Sequence, residues 1–141
     1  MIQQTYCNIF AKNILLGAEN FSGTSPYTYK IALYDATASL GPTTLAYTPA
    51  GEITGSGYTA GGLALTIVPA LVDQQNNTAY FSFQNATWDP ASFTARGALV
   101  YNSTTGAACF VLDFGSDKTA TSTFTVTFPV ADSTNAIIRL N

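Results

Sequence analysis

The spacing of apolar residues changes along this chain near Tyr27, and this change constrains the fold more than any other feature. Before Tyr27, apolar residues recur at every fourth position, which places them on one face of a helix. These residues are Ile2, Tyr6, Phe10 and Ile14. From Tyr27 onward apolar and polar residues alternate, which places the apolar ones on one face of a strand. We therefore expect one helix near residues 3–16, ended by Gly17 in the left-handed conformation, and strands after it.

Short alternating segments recur to the end of the chain, separated by Gly, Pro, Asn and Asp. Apolar runs at 98–101 and 107–114 flank a five-residue loop that contains Gly106, a pattern typical of a β-hairpin. Pro69 is expected to end the strand that begins at Leu63, and residues 115–118 are expected to form a turn. About eight strands at this spacing predict a mostly β protein, an antiparallel β-sandwich or jelly-roll-like domain with one N-terminal α-helix.

The length of the chain is that of one domain. We assign residues 1–141 to a single domain, with the helix in 1–17 and the β-sandwich in 27–141. The alternation also predicts which side chains form the core. The expected core residues are Ile31, Leu33, Leu65, Ile67, Phe81, Phe83, Leu112, Phe124 and Val126.

Charged residues make up only 9% of the chain, whereas ordinary soluble domains contain roughly a quarter. Because solubility normally depends on charged surface, we expect part of this surface to contact other proteins. The net charge is −3 and the five Lys and Arg residues are scattered, which argues against binding to nucleic acid or to a membrane surface. The first residues lack the basic region of a signal peptide, and Lys12 interrupts the apolar stretch.

The chain contains no histidine, which removes the commonest general base and the usual zinc ligand. Cys7 and Cys109 lie in apolar segments and are expected to be small buried residues rather than a disulfide. Most carboxylates adjoin turn residues, and the expected turn or cap carboxylates are Asp35, Asp73, Asp89, Asp117 and Asp132. No two acids are spaced as a glycosidase pair requires. We expect no enzymatic activity, no cofactor and no metal site, although a calcium site made by turn oxygens stays open.

Arg96 and Asp113 are the cation and the acid that lie within the longest strand-like runs. Arg96 is surrounded by small residues that leave space for a long side chain. Because buried charges are normally paired, we expect at least one of the two to be partly buried and Arg96 to form an ion pair or backbone hydrogen bonds.

Several segments together resemble a family of virion structural proteins of tailed bacteriophages. The segments are residues 29–34, 52–62, 88, 93–102, 112–115, 124–129 and 136–139. The resemblance extends over nearly the whole chain, including the leading helix and Gly17. It implies a component of the particle, made in the cytoplasm of the bacterial host and located on the capsid or tail surface. It implies no catalytic residue.

The favoured role that follows is a capsid decoration, or cement, protein that binds the major capsid protein or other virion proteins in many copies. A structural module of the tail or fibre, with aromatic side chains for host attachment, is the alternative. A cell-wall hydrolase is disfavoured because the chain lacks histidine and paired acids. The number of copies per particle distinguishes the capsid role from the tail role. The sequence leaves open whether the protein also binds copies of itself.

Two segments are candidates for assembly contacts. The candidate residues are Tyr6, Phe10 and Ile14 on the helix stripe and Gly55, Gly57 and Tyr58 in the glycine-rich stretch. Tyr and Phe are typical anchors of protein interfaces. Each segment also has a purely structural interpretation, since the stripe could cover an open face of the sandwich and the glycines could form a bend.

Overall fold

The computed structural model describes residues 1–141 and contains one helix and ten strands. The helix α1 spans Asn8–Leu15. The strands are β1 Thr5–Tyr6, β2 Tyr29–Tyr34, β3 Leu63–Ala64, β4 Ile67–Asp73, β5 Thr78–Phe83, β6 Ala86–Trp88, β7 Phe93–Asn102, β8 Ala108–Ala120, β9 Phe124–Val126 and β10 Ile138–Leu140. They form three antiparallel sheets, ordered β1-β8-β7-β2-β3, β10-β5-β4 and β6-β9. The mostly β, sandwich-like fold with one N-terminal helix is thus confirmed.

Aromatic side chains join the five-stranded sheet to the two smaller sheets. Tyr29 and Phe110 pack against Phe83 of the three-stranded sheet, with ring centroids 6.0 and 6.2 Å away. Phe93 packs against the two-stranded sheet, 6.3 Å from Trp88 and 5.2 Å from Phe124. The core therefore lies between the large sheet on one side and the two small sheets on the other.

The prediction of a helix over residues 3–16 is wrong at its beginning. Thr5–Tyr6 forms β1 instead, because these residues pair with Val111 and Phe110 at the edge of β8. The helix starts only after Cys7 and ends before Gly17, which adopts the expected left-handed conformation with φ +68°. Ile2 and Tyr6 thus match a helical spacing in the sequence while belonging to extended segments.

Six of the nine predicted core residues are buried: Ile31, Leu33, Phe81, Phe83, Phe124 and Val126. The other three, Leu65, Ile67 and Leu112, are only half-buried and pack against the margin of the core. Ile67 lies on the edge strand β4, and Leu112 lies where β8 borders an open cavity. Alternation identifies the inward face of a strand but not how far the facing sheet extends over it.

Two predicted chain breaks are wrong. Strand β4 continues through Pro69, with a register shift between Val68 and Leu71, because proline is tolerated on an edge strand at a bulge. Residues 115–118 do not end β8 in a turn. Asp113 lies opposite Gly97 and Lys118 opposite Ala95, so residues 114–117 bulge out of a strand that continues.

The predicted hairpin between β7 and β8 is present, and the Asn102 N–H donates to the Ala107 carbonyl at its end.

Candidate functional site

Helix α1 and strand β10 enclose a cavity of about 590 Å³ that is lined mainly by apolar side chains. Tyr6 is 57% exposed, Leu15 is 88% exposed and Leu140 is 57% exposed. We call this area, made of Tyr6, Ile14, Leu15, Ile138 and Leu140, the α1–β10 surface. These exposed apolar side chains lie together around one cavity rather than singly.

Strands β5 and β4 extend this apolar area. Ala79 lies directly opposite Leu140 on one side and opposite Val72 on the other, so the three side chains share one face of the three-stranded sheet. Val72 is 58% exposed. The row continues the face on which Phe81 and Phe83 are buried, beyond the end of the core.

The structure separates the three helix-stripe candidates. Phe10 is buried by Phe21 and Phe110, with ring centroids 5.9 and 6.2 Å away, so its prediction as an assembly contact is corrected to a core role. Ile14 is half-buried, and Tyr6 is exposed on β1. The interpretation of the stripe as a cover for the sandwich therefore holds for Phe10, while Tyr6 remains available for contact.

The glycine-rich loop is packed against the backbone of the segment that precedes β7. Gly57 has φ +87°, and a Cβ atom there would lie 1.9 Å from the Pro90 carbonyl oxygen. A Cβ at Gly55 would lie 2.8 Å from the Ser92 carbonyl oxygen. Ser92 N–H donates to Ser56 O at 2.9 Å. Close backbone approach therefore explains these two glycines without an assembly contact.

Tyr58, the third candidate in this stretch, is occupied within the molecule. Its hydroxyl donates to Glu52 Oε1 at 2.6 Å and accepts from the Leu33 N–H at 3.0 Å. Its ring lies against Trp88 and Phe93. Burial, and then the hydrogen bond to Glu52, raise the pKa of Tyr58 above its usual range. Tyr58 therefore has a structural role within the molecule, and its role as a contact residue stays a prediction.

Glu52 joins the loop to its neighbours by three hydrogen bonds that sequence reasoning missed. Besides Tyr58, it accepts from Tyr47 Oη at 2.6 Å and from the Gly61 N–H at 2.7 Å. Burial and the Glu52 hydrogen bond raise the pKa of Tyr47 to about 12. No sequence signal connects Tyr47, Glu52 and Tyr58, because their contact depends on how the loop folds back over β2.

Arg96 and Asp113 form the ion pair that their flanking sequence suggested. Arg96 Nε lies 3.1 Å from Asp113 Oδ1, and the side chains are 32% and 26% exposed. A hydrogen bond from the Gly115 N–H and then the Arg96 guanidinium lower the pKa of Asp113. The pair lies across β7 and β8 at the beginning of the bulge in β8, so it fixes the backbone there.

A second open cavity, of about 630 Å³, lies between β8 and β9. Residues 118–120 and 123–129 form its two walls, and Phe114 and Ile137 contribute to its lining. We call it the β8–β9 groove. Phe114 and Phe124 contact each other beside it, with ring centroids 6.1 Å apart. Lys118 is exposed at the groove and makes no ion pair, since the pair formed by Arg96 and Asp113 is the only one in the molecule.

The remaining reactive groups are held in structural positions. Cys7 and Cys109 are both buried free thiols, and burial raises the pKa of Cys7 to about 11. Asp35, Asp73 and Asp132 accept backbone N–H bonds from residues two positions on, as expected for turn carboxylates.

Asp89 and Asp117, for which the same role was expected, accept no hydrogen bond, so the turn-carboxylate prediction is wrong for these two. No cluster of three or more His, Cys, Asp or Glu residues is arranged to hold a metal ion. None of the helical structure is long and apolar enough to cross a membrane.

Comparison with known proteins gave no matching family model, no similar curated protein and no similar solved structure.

Proposed function

We propose that this chain is a non-enzymatic structural protein of a tailed-bacteriophage virion, and that it decorates the capsid by binding the major capsid protein. The observation that carries the proposal is the α1–β10 surface, on which Leu15, Leu140 and Tyr6 are each more than half exposed. Apolar side chains that are exposed together can be buried against a partner protein. The segments that resemble tailed-phage virion proteins supply the class of partner.

The mechanism of attachment is burial of apolar and aromatic surface. Tyr6 can act as an aromatic anchor whose hydroxyl stays at the margin of the contact, and Leu15 and Leu140 contribute apolar area beside it. A chain with only 9% charged residues offers few ion pairs to such a contact. Many copies on a symmetric shell would make attachment firm even where each single contact is weak.

Quantitative mass spectrometry of purified particles tests this role. A decoration protein is expected at about the copy number of the capsid protein, on the order of hundreds per particle, because shell symmetry repeats its binding site. A few copies per particle would overturn capsid decoration and favour the tail or fibre role instead. Absence of the chain from purified particles would remove both roles.

A further inference from the structure

The two walls of the β8–β9 groove are strand edges. Just beyond the ends of β7 and β8, and in the same register, the Ala91 N–H donates to the Ser122 carbonyl, as in a hydrogen-bonded pair. Such pairs alternate with non-hydrogen-bonded pairs along an antiparallel ladder. Thr94, three residues after Ala91, lies opposite Thr119 in this register. Thr94 and Thr119 are therefore a non-hydrogen-bonded pair. The N–H and C=O groups of Thr119 therefore point away from β7, towards the groove.

The same geometry occurs in the opposite wall. Thr87 and Thr125 lie opposite each other on β6 and β9, with hydroxyl oxygens 3.1 Å apart. If Thr87 and Thr125 were a hydrogen-bonded pair, Asn85 would also bond to Thr127 and Asp89 to Thr123, and neither bond is present. The hydrogen bonds of this ladder are therefore made by the two flanking pairs, Ala86 with Val126 and Trp88 with Phe124. Thr87 and Thr125 are thus a non-hydrogen-bonded pair, and the backbone groups of Thr125 point to the free edge of β9. The registers therefore leave the backbone groups of Thr119 and Thr125 unpaired within these ladders, and neither residue takes part in the backbone hydrogen bonds of the turns and loops.

Two facing strand edges with free backbone groups specify the shape of a ligand. An extended peptide that paired with both edges would join the two-stranded sheet to the five-stranded one. A two-stranded sheet is the marginal element of a β protein, and a third strand would stabilise it. Strand β1 already pairs with β8 along this same edge, opposite Phe110 and Val111. Gln4, just before β1, accepts a hydrogen bond from the Asp113 N–H and lines one end of the groove, and the edge is free of a paired strand beyond it.

The charge in the groove adds a requirement. Asp113 is occupied by Arg96 and by the Gly115 N–H, whereas Lys118 has no carboxylate partner. Phe114, Phe124 and Ile137 offer apolar contacts. We propose that the β8–β9 groove binds an extended strand of a neighbouring virion protein, with alternating apolar side chains and an acidic residue next to Lys118. This inference rests on the proposed virion role and names how that role would engage a partner.

The test uses the whole protein and seven-residue peptides, because residues 123–129 that form one wall number seven. Each peptide of a set with alternating Val and Thr and one Glu is fused separately to Asn141 through a ten-residue Gly/Ser linker. Such a linker reaches roughly 17 Å and raises the local peptide concentration to the millimolar range. Hydrogen exchange at the Thr119 and Thr125 amides is then measured by NMR. We expect exchange at both amides to slow about tenfold, which corresponds to about 90% occupancy.

Lys118→Glu and Lys12→Glu form a matched pair of variants. Both variants reverse the charge of an exposed lysine side chain, and Lys12 lies on α1, outside the groove. Lys118→Glu is expected to abolish protection by the Glu-containing peptides and to restore it for peptides with Lys at that position. Lys12→Glu is expected to change neither.

Three results would overturn the proposal. The first is that no fused peptide slows hydrogen exchange at the Thr119 and Thr125 amides. The second is that peptides with a central proline slow this exchange as much as the others. The third is protection of these amides in the unfused protein together with a dimer in sedimentation, which would mean that a second copy fills the groove. All three are measured on the isolated protein, so they are distinct from the particle measurement that decides the virion role.

Discussion

Among single side chains, Glu52 makes the contacts that define the conformation of the glycine-rich loop. Its carboxylate receives two tyrosine hydroxyls and one backbone N–H, and no cation lies against it. Hydrogen bonds to a charged acceptor are stronger than neutral ones, which makes this arrangement stabilising despite the half-buried carboxylate. Tyr58 extends the network to the Leu33 N–H on β2, a buried strand. The glycine-rich loop, for which the sequence left both a contact surface and a bend open, is therefore held in one conformation by these hydrogen bonds.

Replacing Tyr58 by phenylalanine tests this network. Tyr58→Phe removes a donor to Glu52 and leaves the N–H of the buried Leu33 without an acceptor. We expect the free energy of unfolding in urea to fall by about 1–3 kcal/mol, the usual cost of an unsatisfied buried polar group. Tyr27→Phe is the matched control, since Tyr27 is half-buried and its hydroxyl makes no hydrogen bond within the protein. Equal stability of the two variants would show that the hydroxyl of Tyr58 contributes nothing.

Asp73 makes the stability of the protein depend on acid pH. Hydrogen bonds from Ser133 and then Asn76 lower its pKa to about 2 from the ordinary value of 3.8. A carboxylate with a lowered pKa in the folded state stabilises that state above its ordinary pKa, and this contribution is lost as the pH falls towards 2. The stability difference between the parent protein and Asp73→Asn is therefore expected to be largest near neutral pH and to shrink between about pH 5 and pH 2.

Urea unfolding of both proteins at a series of pH values measures this difference. Asp117→Asn is the control, because Asp117 is an exposed carboxylate that accepts no hydrogen bond. A parent-to-variant difference for Asp73→Asn that grows on acidification would contradict the assigned hydrogen bonds.

At the scale of elements, helix α1 combines two roles on one short segment. Phe10 packs on Phe110 of β8 and on Phe21, whereas Leu15 projects from the last turn into solvent. Both residues are apolar, and a sequence does not distinguish a side chain that meets the core from one that faces outward at the end of a helix. We expect Phe10→Ala to lower the free energy of unfolding by about 3–5 kcal/mol and Leu15→Ala to change it by no more than about 0.5 kcal/mol. Thermal or urea unfolding distinguishes them, and equal losses would mean that the helix is packed differently.

The hairpin of the two long strands was predictable from the apolar runs at 98–101 and 107–114, although these runs cover only part of each strand. Strands β7 and β8 contain ten and thirteen residues, and the hairpin between them was expected from the Gly106 loop. Strands β1 and β3 contain two residues each, and pairing with a neighbouring strand alone defines them. Pro69 and Gly115 are strong breakers in a sequence, yet both lie at irregularities within continuing strands. A proline or glycine ends a strand only where no neighbouring strand continues to hydrogen-bond with the residues that follow it.

At the scale of the whole molecule, the two cavities lie where the sheets of the sandwich do not close on one another. The α1–β10 surface lies at an end of the three-stranded sheet, and the β8–β9 groove lies between the two-stranded sheet and the five-stranded one. The sequence identified the chain as poor in charge and rich in Tyr and Thr, but it could not place these openings. They arise because β1 pairs with only two residues of β8, and because β9 and β10 are edge strands with a ladder partner on one side only.

Attachment to the particle is expected to be insensitive to salt, because the α1–β10 surface is apolar and the chain carries few charges. Raising the ionic strength from about 0.1 to about 1 M shortens the Debye length from about 10 to about 3 Å, which weakens exposed charge pairs and leaves apolar burial intact. Particles washed at both ionic strengths should keep equal amounts of the protein, measured by quantitative mass spectrometry. Leu15→Gln should be lost from particles at both, whereas Leu45→Gln, a matched exposed leucine outside this surface, should be retained. Release of the parent protein at high salt would mean that ion pairs, not apolar contacts, hold it on the particle.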